Sequence, residues 1–289
     1  MAAEASRSLI DGVPGESVSV LDRGFAYGDG VFRTVRVDAG RPWLWSDHMS
    51  TLLRDCTRLG IPVADGLPTT LRAELDALAG SASGVLKVVV TRGSGPRGDR
   101  PPAAPSPRRV LIFHPGSPSA PEPVARSVRL CTVRMPSLPE LAGVKHLNRL
   151  PQVLARAEWS GPLPHEGLLR DAEGALICGT MSNVFIRNGQ HVLTPLLDRC
   201  GVAGVVRGRI LDASLPTFAR MGLKVSEARL GVSDLQAAHE AWLTNAVIAL
   251  WPIASLEDEH GRPLASWDDA PGSAARSLIA DLRALRETA

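Results

Sequence analysis

The chain has 289 residues, 44% of them hydrophobic and 21% charged, with a formal charge of +2. That length can bury one large core or two moderate ones, and near-balanced charge without a basic run speaks against a nucleic-acid surface. Cys56, Cys131, Cys178 and Cys200 lack CxxC spacing, no apolar run reaches membrane-spanning length, and the opening MAAEASRSLIDG lacks a secretory apolar core. The expectation is a cytoplasmic protein with no structural zinc, no disulfide framework, no membrane partner and no nucleic-acid partner.

In chain order, SVSVLDRG (17–24) predicts a strand running into a turn, and GVFRTVRVDAGRPWLW (30–45) two strands joined around Ala39-Gly40. SDHMSTLLRDCTRLGI (46–61) predicts a helix capped by Ser46 or Asp47, with Leu52, Cys56 and Leu59 as its apolar stripe and Gly60 as its stop. LPTTLRAELDALAG (67–80) is a second helix, and GVLKVVVTRGSGPRG (84–98) a β-branched strand entering a glycine-rich loop. After the strand RVLIFH (109–114), the Pro, Ser and Ala of HPGSPSAPEP (114–123) mark an interdomain linker. The domains are then 1–118 and 119–289.

The second segment opens with the strand RSVRLCTV (126–133) and a helix with Lys145 at its mouth. Short strands separated by Asp-Ala-Glu-Gly and Asn-Gly turns fill 166–195. GVAGVVRGRILDASLPTFARMG (201–222) is a glycine-started helix broken or bent near Pro216, EAWLTNAVIALWPIASL (240–256) holds two strands, and an amphipathic helix ends the chain. The pattern is α/β (α+β) in two domains.

Three of the 32 basic residues are lysine. A chain that uses arginine so freely makes Lys145 conspicuous, because an amine can deprotonate and form Schiff bases and a guanidinium cannot. The plainer reading is a solvated lysine near a helix start. GVAGVVRG (201–208) offers backbone N–H groups suited to a phosphate, or is a flexible turn; without GK[ST] it is no P-loop. TRGSGPRG (91–98) holds Arg92 and Arg97 over an anionic substrate or is a surface loop. HEG (165–167) lacks the second histidine of a zinc helix, and His48, His146 and His239 read as structural or exposed.

LDRGFAYGDGVFRTVRV, TRGSGPRG, AGVKHLNRLPQVLARAE, GTMSNVF, TPLLDRCGVAGVVR and LTNAVIALWPI together span about residues 8 to 255. In this order they resemble the fold-type IV pyridoxal-phosphate enzymes, which include branched-chain and D-amino-acid aminotransferases. The KHLNRL…QVLARAE form is most similar to the aminodeoxychorismate lyases of that group. The resemblance implies a D-amino-acid aminotransferase-like architecture of two α/β domains, a homodimer, a small-molecule substrate, and pyridoxal 5'-phosphate on Lys145. It implies elimination of pyruvate to give 4-aminobenzoate for folate synthesis. It further implies cofactor contacts at Asn183, Gly204, Val205, Asn245 and Ala246, and substrate contacts at Tyr27, Arg92, Arg97 and Asn148.

Three positions depart from the pattern. Thr51 stands where the family carries a phosphate-binding arginine, with Arg54 one helical turn on as the substitute. Cys178 stands where a glutamate protonates the pyridine nitrogen, and a neutral thiol is a weak partner there. Arg33 replaces a glutamate or threonine and would bring positive charge into the pocket, against the substrate. These leave room for a related enzyme of changed chemistry (a D-amino-acid or branched-chain transaminase, or a cofactor-independent one) and for a non-catalytic descendant.

Overall fold

The computed structural model describes residues 5–117, 124–268 and 272–285. They form two compact units, one of residues 5–117 with Val144–Asn148, the other of 124–143 and 149–285. The linker expected over 114–123 lies partly outside the described residues, at 118–123.

The first unit is a six-stranded sheet with three helices. In chain order it comprises β1 (Arg7–Ile10), β2 (Val13–Pro14), α1 (Arg23–Tyr27), β3 (Gly30–Asp38), β4 (Arg41–Pro42), α2 (Trp45–Arg58), α3 (Leu67–Ala79), β5 (Gly84–Thr91) and β6 (Arg108–Pro115). The strands lie in the order β2-β1-β6-β5-β3-β4. Residues 17–20, expected as a strand, are loop, and Val20 is exposed; α1 follows, with the Asp22 carboxylate capping the Gly24 N–H at 2.8 Å.

The alternation of β3 sets the core. Val31, Arg33, Val35 and Val37 are buried, whereas Phe32, Thr34 and Arg36 on the opposite face are only partly covered. The buried face meets Leu52 and Cys56 of α2 and Leu71 and Leu75 of α3. The turn joining β3 to β4 needs left-handed backbone at Ala39 and Gly40, and a Cβ on Gly40 would stand 2.2 Å from the Gly80 carbonyl oxygen. Helix α2 starts one residue earlier than expected, after Leu44 in left-handed conformation, so Ser46 and Asp47 lie in its first turn and do not cap it.

The second unit holds β7 (Arg126–Met135), α4 (Leu150–Arg156), β8 (Glu166–Asp171), β9 (Leu176–Gly179), β10 (Asn183–Asn188) and β11 (His191–Pro195). It continues with α5 (Val205–Leu211), α6 (Pro216–Met221), β12 (Lys224–Ala228), α7 (Val232–Gln236), β13 (Glu240–Asn245), β14 (Ala249–Glu257), β15 (Pro263–Ser266) and α8 (Ser273–Ala284). Its sheet runs β12-β11-β10-β13-β14-β7-β8-β9, with β15 on β14. Of the two outcomes expected near Pro216 the helix over 201–222 is broken: Pro216 starts α6 after an interruption at 212–215.

Lys145 is not at a helix mouth. Pro151 lies in the first turn of α4, and the helix begins at Leu150. Residues 145–147 are extended instead and bond along the free edge of β3: the Phe32 N–H donates to the Lys145 carbonyl at 2.9 Å, and the Leu147 N–H to the Gly30 carbonyl at 3.0 Å. That pairing assigns Lys145 to the first unit, whereas the sequence reading placed it in the second domain.

Candidate functional site

The edge pairing fixes where Lys145 looks. Val31 pairs with His146, so Lys145 lies beside Phe32 on the less covered face, and its Nζ sits 4.5 Å from the centre of the Phe32 ring. Its backbone N–H donates to Asp55 Oδ2 at 2.9 Å.

Asp55 is a fully buried carboxylate on α2, and the sequence reading passed over it. The Arg33 guanidinium pairs with Oδ2 and donates to the Thr51 carbonyl at 2.9 Å, while Arg54 Nη2 donates to Oδ1 at 3.0 Å. The signal was present in the sequence: Asp55 falls within the Leu52, Cys56, Leu59 stripe, where a charge is out of place unless paired.

The same geometry corrects the expectation for Arg33. It is 1% exposed and lies on the buried face of β3 with its charge spent on Asp55, so it is not open to a substrate. Thr51 donates its hydroxyl to the Asp47 carbonyl at 2.7 Å, within its own helix. Arg54, with half its side chain exposed, folds back onto Asp55.

His48, on the same helix, is 2% exposed with no hydrogen-bond partner on either ring nitrogen. Burial first, then the positive charges of Arg33 and Lys145, bring its pKa down to about 3. Burial likewise pushes the Cys56 thiol up to about 12.

Arg92 also departs from its expected substrate role. Its Nε and Nη2 donate to Asp29 at 2.8 and 3.0 Å, and Nη1 and Nη2 donate to the carbonyls of Gly60 and Leu59, both at 2.7 Å. Every arm of the guanidinium is committed, so Arg92 is a strut between β5 and the end of α2. Burial pushes the Asp29 carboxyl up, but Arg92 and Arg23 outweigh it and hold its pKa below the usual value.

Arg23, missed in the sequence, pairs with Asp29 at 2.8 Å and ties down the glycine-rich loop through the carbonyls of Gly98 at 3.0 Å and Asp99 at 2.8 Å. Its guanidinium lies 4.7 Å from the Tyr27 ring centre, and Tyr27 Oη accepts the Gly98 N–H at 3.1 Å. Tyr27 and the exposed Arg97 are thus brought to one loop cluster. Asn148 donates to the Gly28 carbonyl at 3.2 Å, packed so closely that a Cβ on Gly28 would meet its Oδ1 at 2.4 Å.

In the second unit, Cys178 is buried on β9 among Cys131, Leu169 and Ile177. Burial lowers the pKa of Arg149, and the electrostatic partner raising it is Cys178. Glu166, fully buried on the neighbouring β8, supplies no substitute carboxylate. Its oxygens already accept from the N–H groups of Gly167 and Met181 at 2.9 and 3.2 Å, from Ser182 Oγ at 2.8 Å, and from the Thr180 N–H and hydroxyl. It shapes the turn between β9 and β10.

Asn183 gives its carboxamide N–H to the Val202 carbonyl at 2.8 Å and presses against Gly204, where a Cβ would meet Asn183 Oδ1 at 2.4 Å. It forms the turn at Gly204 and Val205 from behind. Asn245 Oδ1 accepts the N–H groups of Val247 and Ile248 at 2.8 and 2.9 Å, an Asx turn that does not take the Ala246 N–H. Among the described residues no three His, Cys, Asp or Glu side chains group as metal ligands, and no helix is long and apolar enough to cross a membrane. All four cysteines are buried free thiols.

The chain is thus mixed α/β, with Lys145 clamped by its own backbone at a strand edge. The chain belongs to the amino-transferase class IV family, whose model matches residues 30–256. It is 31% identical over 249 residues to an aminodeoxychorismate lyase from Vibrio harveyi, covering 86% of this chain and 90% of that one. Its fold is similar to that of a 4-amino-4-deoxychorismate lyase from Pseudomonas aeruginosa, with a TM-score of 0.82 and 39% identity, over 96% of this chain and 98% of that one. A putative branched-chain-amino-acid aminotransferase from Methanocaldococcus jannaschii is 28% identical over 246 residues, 83% of each chain. The architecture is that of the fold-type IV enzymes.

Two outcomes follow from the buried charges. Arg92→Ala leaves Asp29 short of a partner and lowers unfolding free energy by about 3–5 kcal/mol, whereas Arg97→Ala stays within about 0.5 kcal/mol; urea titration measures both. His48 titrates lower in the folded chain, at about 3, than its ordinary 6.5, so the folded state binds fewer protons between those values. Its contribution to stability is complete above that window and falls with pH, by up to about 1.4 kcal/mol per pH unit. His48→Leu should therefore show a shallower loss of stability from pH 6.5 towards 4 than the unaltered chain, by about that slope.

Proposed function

We propose that the chain is a pyridoxal-phosphate-dependent lyase that converts 4-amino-4-deoxychorismate to 4-aminobenzoate and pyruvate, a step in making folate. The observation that carries this reading is the lysine held by its own peptide group between β3 and Asp55, in a chain similar over most of its length to proteins of that activity.

The donor set suits the cofactor. Lys145 offers an amine for its aldehyde; the N–H groups of Val205, at the turn shaped by Asn183, and of Ala246, left out of the Asx turn, would hold its phosphate. Arg54, half-exposed and holding Asp55 through Nε and Nη2, is the candidate replacement for the arginine absent at Thr51. Bound there, pyridoxal phosphate supplies an electron sink. Lys145 Nζ takes the proton from the amine-bearing carbon of the substrate. As the neighbouring C–O bond breaks, the enolpyruvyl group leaves with the electron pair as an enolate, which takes a proton on its methylene carbon to become pyruvate, and the ring becomes aromatic. Tyr27, Arg97 and Asn148 would orient the substrate carboxylates; Arg92 and Arg33 support the scaffold.

Cys178 sets the choice of reaction. A buried thiol with a guanidinium nearby would offer the cofactor's pyridine nitrogen no carboxylate, which would make the electron sink it supplies a weaker one. Elimination, with aromatisation behind it, asks less of that sink than amino transfer does.

A homodimer completes the reading. Leu150, Val153 and Leu154 make an apolar stripe on α4 at 64%, 59% and 52% exposure, and Val20, Leu21 and Phe25 stand out at 74%, 63% and 72% near α1. Such residues call for a cover, and a second copy provides it.

Incubation of the cofactor-loaded protein with aminodeoxychorismate should yield pyruvate and 4-aminobenzoate in equal amounts, with negligible amino transfer to pyruvate or 2-oxoglutarate. Lys145→Ala should lower the rate at least about a thousandfold. Amino transfer at a comparable rate would overturn the assignment in favour of a transaminase.

A further inference from the structure

We propose that Asp55 is the positioning residue for Lys145, anchoring the lysine's backbone N–H and so fixing the reach of its amine; as a statement about catalysis this rests on the reading of Lys145 above. The Lys145 peptide group is held from two sides: its carbonyl accepts from the Phe32 N–H at 2.9 Å, and its N–H donates to Asp55 Oδ2 at 2.9 Å. The first bond belongs to the strand edge and would form with any residue at 145. The second is supplied by a side chain, and by one with no solvent contact.

A carboxylate held by its neighbours makes a firm anchor. Arg33 reaches it from β3 and is itself tied to the Thr51 carbonyl, while Arg54 takes the other oxygen. Asp55 cannot swing away without stranding the buried Arg33 guanidinium and the Lys145 N–H together. Charge-assisted bonds to a backbone N–H are also stronger than neutral ones. The amine at the end of the same residue, 4.5 Å from the Phe32 ring centre, is located by the peptide from which it extends. Small displacements of a reacting group cost rate steeply, so an anchor on the lysine's backbone acts on turnover more than on substrate binding.

The test is hydrogen exchange at the Lys145 amide in the cofactor-free protein, which does not depend on the assigned activity. Arg33→Met keeps the carboxylate and should leave exchange at Lys145 within about twofold. The pair Arg33→Met/Asp55→Leu removes both buried charges and the anchor together, and should raise that exchange at least about tenfold while β3 and β5 stay protected. Should the pair lose protection throughout the sheet, Arg33→Gln/Asp55→Asn decides the matter, with exchange at Lys145 about fivefold above the unaltered chain. In the loaded enzyme the variant that folds should lose kcat about tenfold with KM held within about twofold. Unchanged exchange at Lys145 in a folded variant lacking the Asp55 carboxylate overturns the anchor, as does a rise in Arg33→Met equal to that of the pair. Normal anchoring without turnover would instead count against the lyase reading alone.

Discussion

A strand edge left open for three residues is the constraint on which the candidate site depends. β3 is flanked by β5 from Gly30 to Val37, but on its other side β4 covers only the end of the strand, at Val37 and Asp38. The edge at Gly30 to Phe32 would be unpaired were it not for residues 145–147, which arrive from far along the chain and satisfy it. A segment of the second half of the sequence is thereby built into the first unit, and a lysine is delivered at a set register. Because register in a strand decides which face a side chain takes, a slip of one residue would turn Lys145 away from Phe32 and towards the buried side.

The buried side carries its own logic. Arg33, Arg54 and Asp55 put two guanidiniums on one carboxylate, and His48, neutral beside them, keeps the group from gaining a third positive charge. A buried ion pair of this kind adds little net stability over apolar residues of the same shape, because desolvation offsets the attraction. What it confers is position. In the second unit the emphasis is opposite: Cys178 is an uncharged thiol in an apolar cluster, and the nearby buried carboxylate of Glu166 is saturated by its own turn. The first unit thus holds the Lys145 peptide group with charge, and the second packs Cys178 among uncharged side chains.

Much of the fold was legible in the sequence because periodicity carries it. The alternation of GVFRTVRV and the β-branched run GVLKVVV mark β3 and β5, and the stripe at Leu52, Cys56 and Leu59 marks α2. That alternation also held the answer on Arg33, which shares its phase with Val31, Val35 and Val37 and so had to point inward. Reading it as a pocket residue followed the family position and neglected the face. Lys145 stood out by the rarity of lysine, yet its extended conformation was hidden, since it depends on an edge made more than a hundred residues earlier. Arg92 and Asp29 show the same limit: the arginine was visible and its carboxylate was not, because their pairing is tertiary. The 17–20 strand failed for the opposite reason, alternation without a sheet to join.

The central claim is that Lys145 carries pyridoxal phosphate. It is tested most directly by the near-visible absorption spectrum of the purified protein before and after the cofactor is added, followed by borohydride reduction and peptide mapping. A cofactor on Lys145 predicts a new band that reduction abolishes, with the label fixed on the peptide containing residues 142–159. No band at saturating cofactor, or a label elsewhere in the chain, would contradict it.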